Sequence, residues 1–246
     1  MSAEQPVSQT DLELLRKYDT PTICNVIELF AIRPRHVGYL DARIKACFPE
    51  MPPMAGFAST ATFRSAAPPR QGNVYASLDR QAAAFSQIPS PPVVVFQDLD
   101  DPPVSATFGE VMCTTYKRFG AAGLITSGAA RDLDQVRRIG FPCFASGVIC
   151  SHGWAHFVDV HTPVSVGGMI IAAGDLLHGD ANGVTTIPVE IASAVARACA
   201  DYVAAEQVVL DYCQSAEVTP EGFAEARREC ARMLTALSER VRKRGG

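Results

Sequence analysis

The stretch PPVVVFQDLD, residues 91–100, opens with a continuous apolar run of strand length. A strand of that kind is stable only when both of its faces are covered. The residues that follow supply the cover. Helical spacing from Phe108 to Phe119 stops at Gly120, AAGLIT (121–126) reads as a strand, Asp132–Ile139 as a helix stopped by Gly140, and PCFASGV (142–148) as another strand. Strand–helix–strand–helix–strand in that order predicts an α/β core with parallel strand pairs.

The flanks read less regularly. Thr10 and Glu13 form a capping-box pattern for a first helix through Leu12, Leu15 and Tyr18, ending near Asp19. TPTICNVIELF starts a second, with Thr20 or Thr22 as its cap and Ile23, Val26, Ile27 and Phe30 on one face. Residues 33–53 hold several prolines and no sustained period, which predicts loop with short strands; GFASTATFRS (56–65) reads as a strand, and residues 74–88 as a helix through Leu78, Ala82 and Phe85. After Pro163, Gly-Gly, Ala-Gly-Asp and Asn-Gly punctuate short β-rich runs, as in hairpins and bends. From Pro188 the pattern is helical to the end, with a break where Thr219 caps and Pro220 takes the first helical position. Two parts are expected: a core domain over residues 1–187 that includes the N-terminal helices, and a helical extension over 188–246 packing on the core or on a neighbouring subunit.

With 246 residues, of which 48% are apolar, the chain has enough to bury a sizeable core. The formal net charge of -4 and the lack of any basic run beyond the terminal RVRKRGG argue against nucleic-acid or anionic-membrane partners. The N-terminus lacks a basic-then-apolar leader, and no apolar run is long enough for a bilayer, so a cytoplasmic location is expected. Eight cysteines lie scattered with no C-x-x-C pair, as small buried hydrophobes in a reducing compartment.

Arg131 and Asp132 stand where a strand gives way to a helix, and two readings apply. Asp132-x-x-Gln135 is a capping pattern, which makes Asp132 an N-cap and Arg131 a solvated turn residue. Alternatively, ligands of α/β sheets gather beyond the carboxyl ends of strands, where a guanidinium grips a carboxylate and an Asp offers a hard oxygen to a cation. FGEVMC (108–113) opens the preceding helix at the equivalent place. There Gly109 permits close backbone approach and the first-turn N–H groups suit an anion, or Glu110 simply complements the helix dipole. His152, His156 and His161 with Asp159 read as scattered side chains rather than a metal site, and HGDANG (178–183) as a turn, since Val189 stands where a calcium loop needs glutamate. No G-x-S-x-G, Walker loop or G-x-G-x-x-G after a strand is present.

Phe108 to Val148, together with PVSVGGMIIAAGDLLHGDANGVTTIP (163–188), resembles the family that joins the class II 4-hydroxy-4-methyl-2-oxoglutarate aldolases to the regulator of ribonuclease activity A. Twenty residues separate Glu110 from Arg131, and Asp132 follows directly, similar to the aldolase branch's acidic-x20-Arg-Asp motif. The resemblance implies a swivelling β/β/α core within an α/β fold, assembled as a homotrimer or homohexamer with sites between subunits. It implies a divalent metal, Mg²⁺ or Mn²⁺, held directly by Asp132, by Glu110 through water, and by Glu206 from a neighbouring subunit. Arg131 would bind a small 2-oxo acid whose carboxylate meets Gly109 and the N–H groups of Val111 and Met112. The implied reaction is carbon–carbon cleavage through a pyruvate enolate, as an aldolase or an oxaloacetate decarboxylase. A non-catalytic regulator that binds protein, and a metal-dependent isomerase or hydratase, are the alternatives. Ser127 and Asn25 stand where the family usually has Asp, and residues 149–162 carry histidines where it has a basic residue.

Overall fold

The computed structural model describes residues 5–72 and 78–244. Helices α1 (Gln9–Leu15) and α2 (Thr20–Phe30) lead into strands β1 (Lys45–Ala46) and β2 (Met54–Arg64) and helix α3 (Leu78–Ala84). The alternating part comprises β3 (Pro92–Asp98), β4 (Ala106–Phe108), α4 (Glu110–Arg118), β5 (Gly123–Thr126), β6 (Ala129–Ala130), α5 (Leu133–Ile139), β7 (Cys143–Ala145) and β8 (Gly147–Val148). Then come β9 (His156–Val160), β10 (Val164–Val166), β11 (Met169–Ile171), β12 (Leu176–Asp180) and β13 (Gly183–Ile187), and finally α6 (Ala192–Cys213) and α7 (Pro220–Arg244).

The main sheet runs β1-β7-β5-β3-β2-β12-β13, with β9 also paired to β2. Its centre, β2-β3-β5-β7, is parallel, and β1, β12, β13 and β9 join antiparallel. The apolar run of β3 lies at the middle, as its composition requires. Val94 and Phe96 face one apolar cluster with Phe108, Met112 and Tyr116, while Val93 and Val95 face another with Ile125, Phe144 and Leu177. Each such buried valine contributes on the order of 1.5–3 kcal/mol relative to exposure. A third cluster joins α1, α2, α6 and α7 to Ala55, Phe57, Leu176 and Ile187 of the sheet. The C-terminal helices therefore share apolar core with the N-terminal ones. This mixed α/β architecture with added C-terminal helices agrees with the expected fold class.

Three helix starts differ from expectation. Ser8, not Thr10, caps α1, its Oγ accepting the Asp11 N–H at 3.1 Å. Asp19 caps α2, its Oδ1 accepting the Thr22 N–H at 2.8 Å, and Thr20 is the first helical residue. A charged acceptor one residue upstream takes the cap, and Thr20 is engaged elsewhere: its N–H donates to Asp180 Oδ2 and its hydroxyl meets His178 Nδ1. The predicted helix from Phe108 starts at Glu110 instead, because Phe108 pairs in β4 with Ala130 of β6. The predicted strand 142–148 splits at Ser146. β7 stays in the main sheet, and β8 joins β4 and β6 in a separate parallel sheet of order β4-β6-β8.

The hairpin and last-helix expectations hold. The β10–β11 and β12–β13 hairpins fall after Pro163, and Asp180 Oδ1 accepts the Asn182 N–H in the HGDANG turn. Thr219 caps α7 through the Gly222 N–H. Of the helix predicted over 74–88, residues 74–77 lie outside the described residues. The eight cysteines are free thiols, but they are not uniformly the buried hydrophobes expected: Cys113, Cys143 and Cys199 are buried, whereas Cys150 and Cys213 are exposed, and the Cys113 and Cys143 sulfurs lie 3.9 Å apart with no disulfide between them. Among the described residues no helix is long and apolar enough to cross a membrane.

Candidate active site

The small β4-β6-β8 sheet brings the candidate residues together. Because β4 and β6 run parallel, the residues that leave them emerge side by side, and the Arg131 N–H donates to the Phe108 carbonyl at 3.2 Å. Gly109 follows β4 in an extended conformation and begins α4; Arg131 and Asp132 follow β6 and begin α5.

Asp132 stands in the left-handed region, with φ 54° and ψ 40°. Its carbonyl accepts the first bond of α5, from Val136, but its side chain does not cap that helix. The carboxylate crosses instead to the neighbouring helix, where Oδ2 accepts the Glu110 N–H at 3.0 Å. The capping pattern Asp132-x-x-Gln135 is thus misleading about which helix is capped. Asp132 Oδ2 also lies 3.8 Å from Arg131 Nε. A side chain at position 109 would have to displace the Asp132 carboxylate, since a Cβ there would stand 2.4 Å from Asp132 Oδ2 and 3.1 Å from Arg131 Nε.

Glu110 is exposed at the first turn of α4. The next two backbone N–H groups, of Val111 and Met112, have no acceptor among the described residues. Such orphan donors at a helix start, beside a guanidinium, suit a carboxylate. Asp132 Oδ1 has no hydrogen-bond partner among the described residues. Together with Glu110 it offers hard oxygens of the kind Mg²⁺ or Mn²⁺ takes from one or two carboxylates while keeping several waters. Among the described residues no three His, Cys, Asp or Glu side chains gather as a metal site, so the fit is to such a hydrated ion and not to an all-protein cage.

Glu206 lies apart from this group. It lines a groove between α6 and α7 with Arg227 and Cys230, and it stands beside Tyr202, whose phenol is pushed up to about 12 by burial first and by Glu206 second. The histidines do not converge. His152 and His156 hold the carbonyls of Gly153 and Trp154 through Nδ1, and His161 Nε2 meets Ser59 Oγ at 3.1 Å. Ser127 belongs to a different feature: its Oγ accepts the Asp98 N–H at 2.9 Å, and the residue lines a separate cleft of about 740 Å³ that Arg131 does not line. That cleft, with Asp98 on its floor, is the feature that sequence reasoning missed. Its only sequence signal is the Asp that ends the apolar run of β3.

A mixed α/β chain whose site is built from two adjacent strand-to-helix turns, with an anion-ready helix start and carboxylates suited to a hydrated cation, defines the class. The RraA-like family model, Aldolase/RraA, matches residues 20–186, and the chain belongs to that family. The family's description spans both an aldolase and RraA. A protein of Halalkalibacterium halodurans, whose name proposes 4-hydroxy-4-methyl-2-oxoglutarate aldolase activity, is 35% identical over 40% of this chain and 48% of its own. The chain spans less than half the length of the curated relatives it matches. Among solved structures, an uncharacterised protein of Pseudomonas syringae pv. tomato aligns over 93% of this chain and 98% of its own, with TM-score 0.70 and 22% identity. Streptomyces coelicolor RraAS2, described as an unusual member of the RNase ES inhibitor RraA family, aligns over 83% and 97% with TM-score 0.65, also at 22% identity. At that identity the likeness shows the fold.

Proposed function

We propose that the chain is a divalent-metal-dependent carbon–carbon lyase acting on a small 2-oxo acid, by aldol cleavage of a 4-hydroxy-2-oxo acid, by decarboxylation of oxaloacetate, or both. One observation carries the reading: Asp132 and Arg131 are fixed against the start of α4, where the Val111 and Met112 N–H groups have no acceptor among the described residues. Those two N–H groups take the substrate carboxylate, and the missing Cβ of Gly109 leaves room for the Asp132 carboxylate beside them. Arg131 places its charge beside the 2-oxo oxygen. When the C3–C4 bond breaks, its electron pair stays with the C2–C3 unit, and charge on that oxygen grows. Asp132 and, through water, Glu110 would hold the Mg²⁺ or Mn²⁺. When bound, that cation supplies further Lewis-acid stabilisation of the same oxygen. Glu206 from a neighbouring subunit of a homotrimer or homohexamer would complete the cation's surroundings.

The reaction needs no lysine Schiff base. Decarboxylation releases CO₂ and leaves the pyruvate enolate, which takes a proton at C3, so it tests the site without a second carbonyl product. Pyruvate release from oxaloacetate is expected to require Mg²⁺ or Mn²⁺, and to fall by about 10²–10³ in Arg131→Ala and Asp132→Ala. Metal-independent turnover at the uncatalysed rate in the parent protein would remove the decarboxylase. The aldol reading is then tested separately with a 4-hydroxy-2-oxo acid.

A further inference from the structure

The cleft beyond Asp98 lies at the other end of β6 from the site just described: Ser127 and Gly128 precede that strand, and Arg131 follows it. It opens at the carboxyl ends of the parallel strands β3, β5 and β7, with Asp98, Ser127 and Ser146 at their tips. The residues around residue 43 and the β10–β11 turn form its walls. Crevices at that place in a parallel sheet are where small molecules bind.

The polar groups of the cleft are arranged as a recognition set. Gln97 Oε1 accepts the Ser165 N–H at 2.8 Å, which fixes the amide and leaves its NH₂ as a donor. Ser127 Oγ already accepts the Asp98 N–H, so its own proton is the part left to give. Lys45, exposed on β1, has no ion-pair partner among the described residues, whereas Arg43 is tied to Asp41. Lys45, Gln97 and Ser127 thus each bring a donor to the lining of the cleft.

Asp98 supplies the opposite character. Its side chain is only 7% exposed, and Oδ1 accepts the Asp100 N–H at 3.0 Å. Oδ2 is buried and has no hydrogen-bond partner among the described residues. Gly128 leaves space for it, since a Cβ there would stand 2.7 Å from that oxygen. Burial pushes this carboxyl up to about 6, helped by Asp100 and Asp101 and opposed by the Asp100 N–H and Arg64. An orphan buried carboxylate oxygen is costly unless something donates to it. Asp100 also lines the cleft but is engaged elsewhere, its Oδ2 taking the N–H groups of Ser65 and Ala66 and its Oδ1 lying 3.6 Å from Arg64 Nε.

We propose that this cleft is a second ligand site, taking a small carboxylate that carries a hydroxyl or ammonium donor on a neighbouring carbon. The carboxylate meets Lys45, Gln97 and Ser127, and the donor meets Asp98. The proposal stands apart from the lyase reading, because it uses none of the residues invoked there.

The test uses Arg131→Ala protein, in which the guanidinium proposed to hold the 2-oxo acid of the first site is gone, titrated calorimetrically without added metal with L-malate, L-aspartate and succinate. These share a four-carbon dicarboxylate frame and differ in carrying a hydroxyl, an ammonium or no donor. Malate or aspartate is expected to bind at least about tenfold more tightly than succinate, and whichever does so identifies the donor. Adding Lys45→Ala, a change on the surface, should weaken that binding at least about tenfold, and Asp98→Ala should erase the preference over succinate. No binding, equal binding of all three, or binding that Lys45→Ala leaves unmoved overturns the proposal.

Discussion

At the scale of single residues, Gly109 and Asp132 depend on each other. Asp132 bonds to the start of a helix other than its own only because position 109 has no side chain in the way. Gly109→Ala is therefore expected to displace Asp132 and to cut metal-dependent turnover by about 10²-fold, with a stability cost of about 1–3 kcal/mol. Steady-state kinetics beside a urea melt separates the two effects. Unchanged kinetics would detach Asp132 from the chemistry. Asp132 also sits at φ 54°, so Asp132→Gly should be more stable than Asp132→Ala by about 1 kcal/mol, while both lose turnover to the same extent. The sequence showed that Arg131, Asp132 and Glu110 belong together, through their spacing and family resemblance. It did not show the bond across to α4, because β6 is two residues long and carries no readable period.

At the scale of elements, the long apolar strand and the helices stopped by Gly120 and Gly140 were readable, since burial on two faces and left-handed stops leave strong marks in composition. The caps of α1 and α2 were placed late. Ser8 and Asp19 each accept the N–H three residues on, and Thr20 is drawn away from capping by contacts made at long range. The chief of these contacts is at His178, which is fully buried: Nε2 donates to the Leu15 carbonyl at 3.1 Å and Nδ1 accepts from the Thr20 hydroxyl at 3.0 Å. One imidazole on β12 thereby pins the end of α1 and the start of α2. His178→Ala should cost about 2–4 kcal/mol, read as a lower urea midpoint. Asp19→Ala should cost about 1 kcal/mol by the same measure. A His178→Ala midpoint equal to that of the parent would show that the helices dock without it.

At the scale of the whole molecule, two buried groups tilt stability in opposite directions with pH. Burial lowers His178 from 6.5 to about 4, so the folded chain holds fewer protons there than the unfolded one. That contribution is complete above about pH 6.5 and is lost as pH falls towards 4. Asp98 is raised from 3.8 to about 6, so the folded chain holds more protons there, and stability is lost as pH rises from about 4 to about 6. Asp98→Asn removes only the second slope. Its melting temperature relative to the parent should climb between pH 4 and pH 7 by a few degrees, on the order of 1 kcal/mol. A difference that stays constant across that range would mean that Asp98 titrates near its ordinary value.

The path from Glu110 to Arg131 consists of helix α4, the turn at Gly120, strand β5 and the short β6. The number twenty therefore measures one crossover between two parallel strands and has no meaning for the chemistry itself. Gly120 stands in open space, with no atom within 4 Å of where a Cβ would sit, so two glycines inserted after it should lengthen the crossover and leave turnover within about threefold of the parent. Relatives with a longer turn there would keep the same pair of helix starts and escape any search that fixes the spacing. They are better sought by the order of their elements than by counting residues.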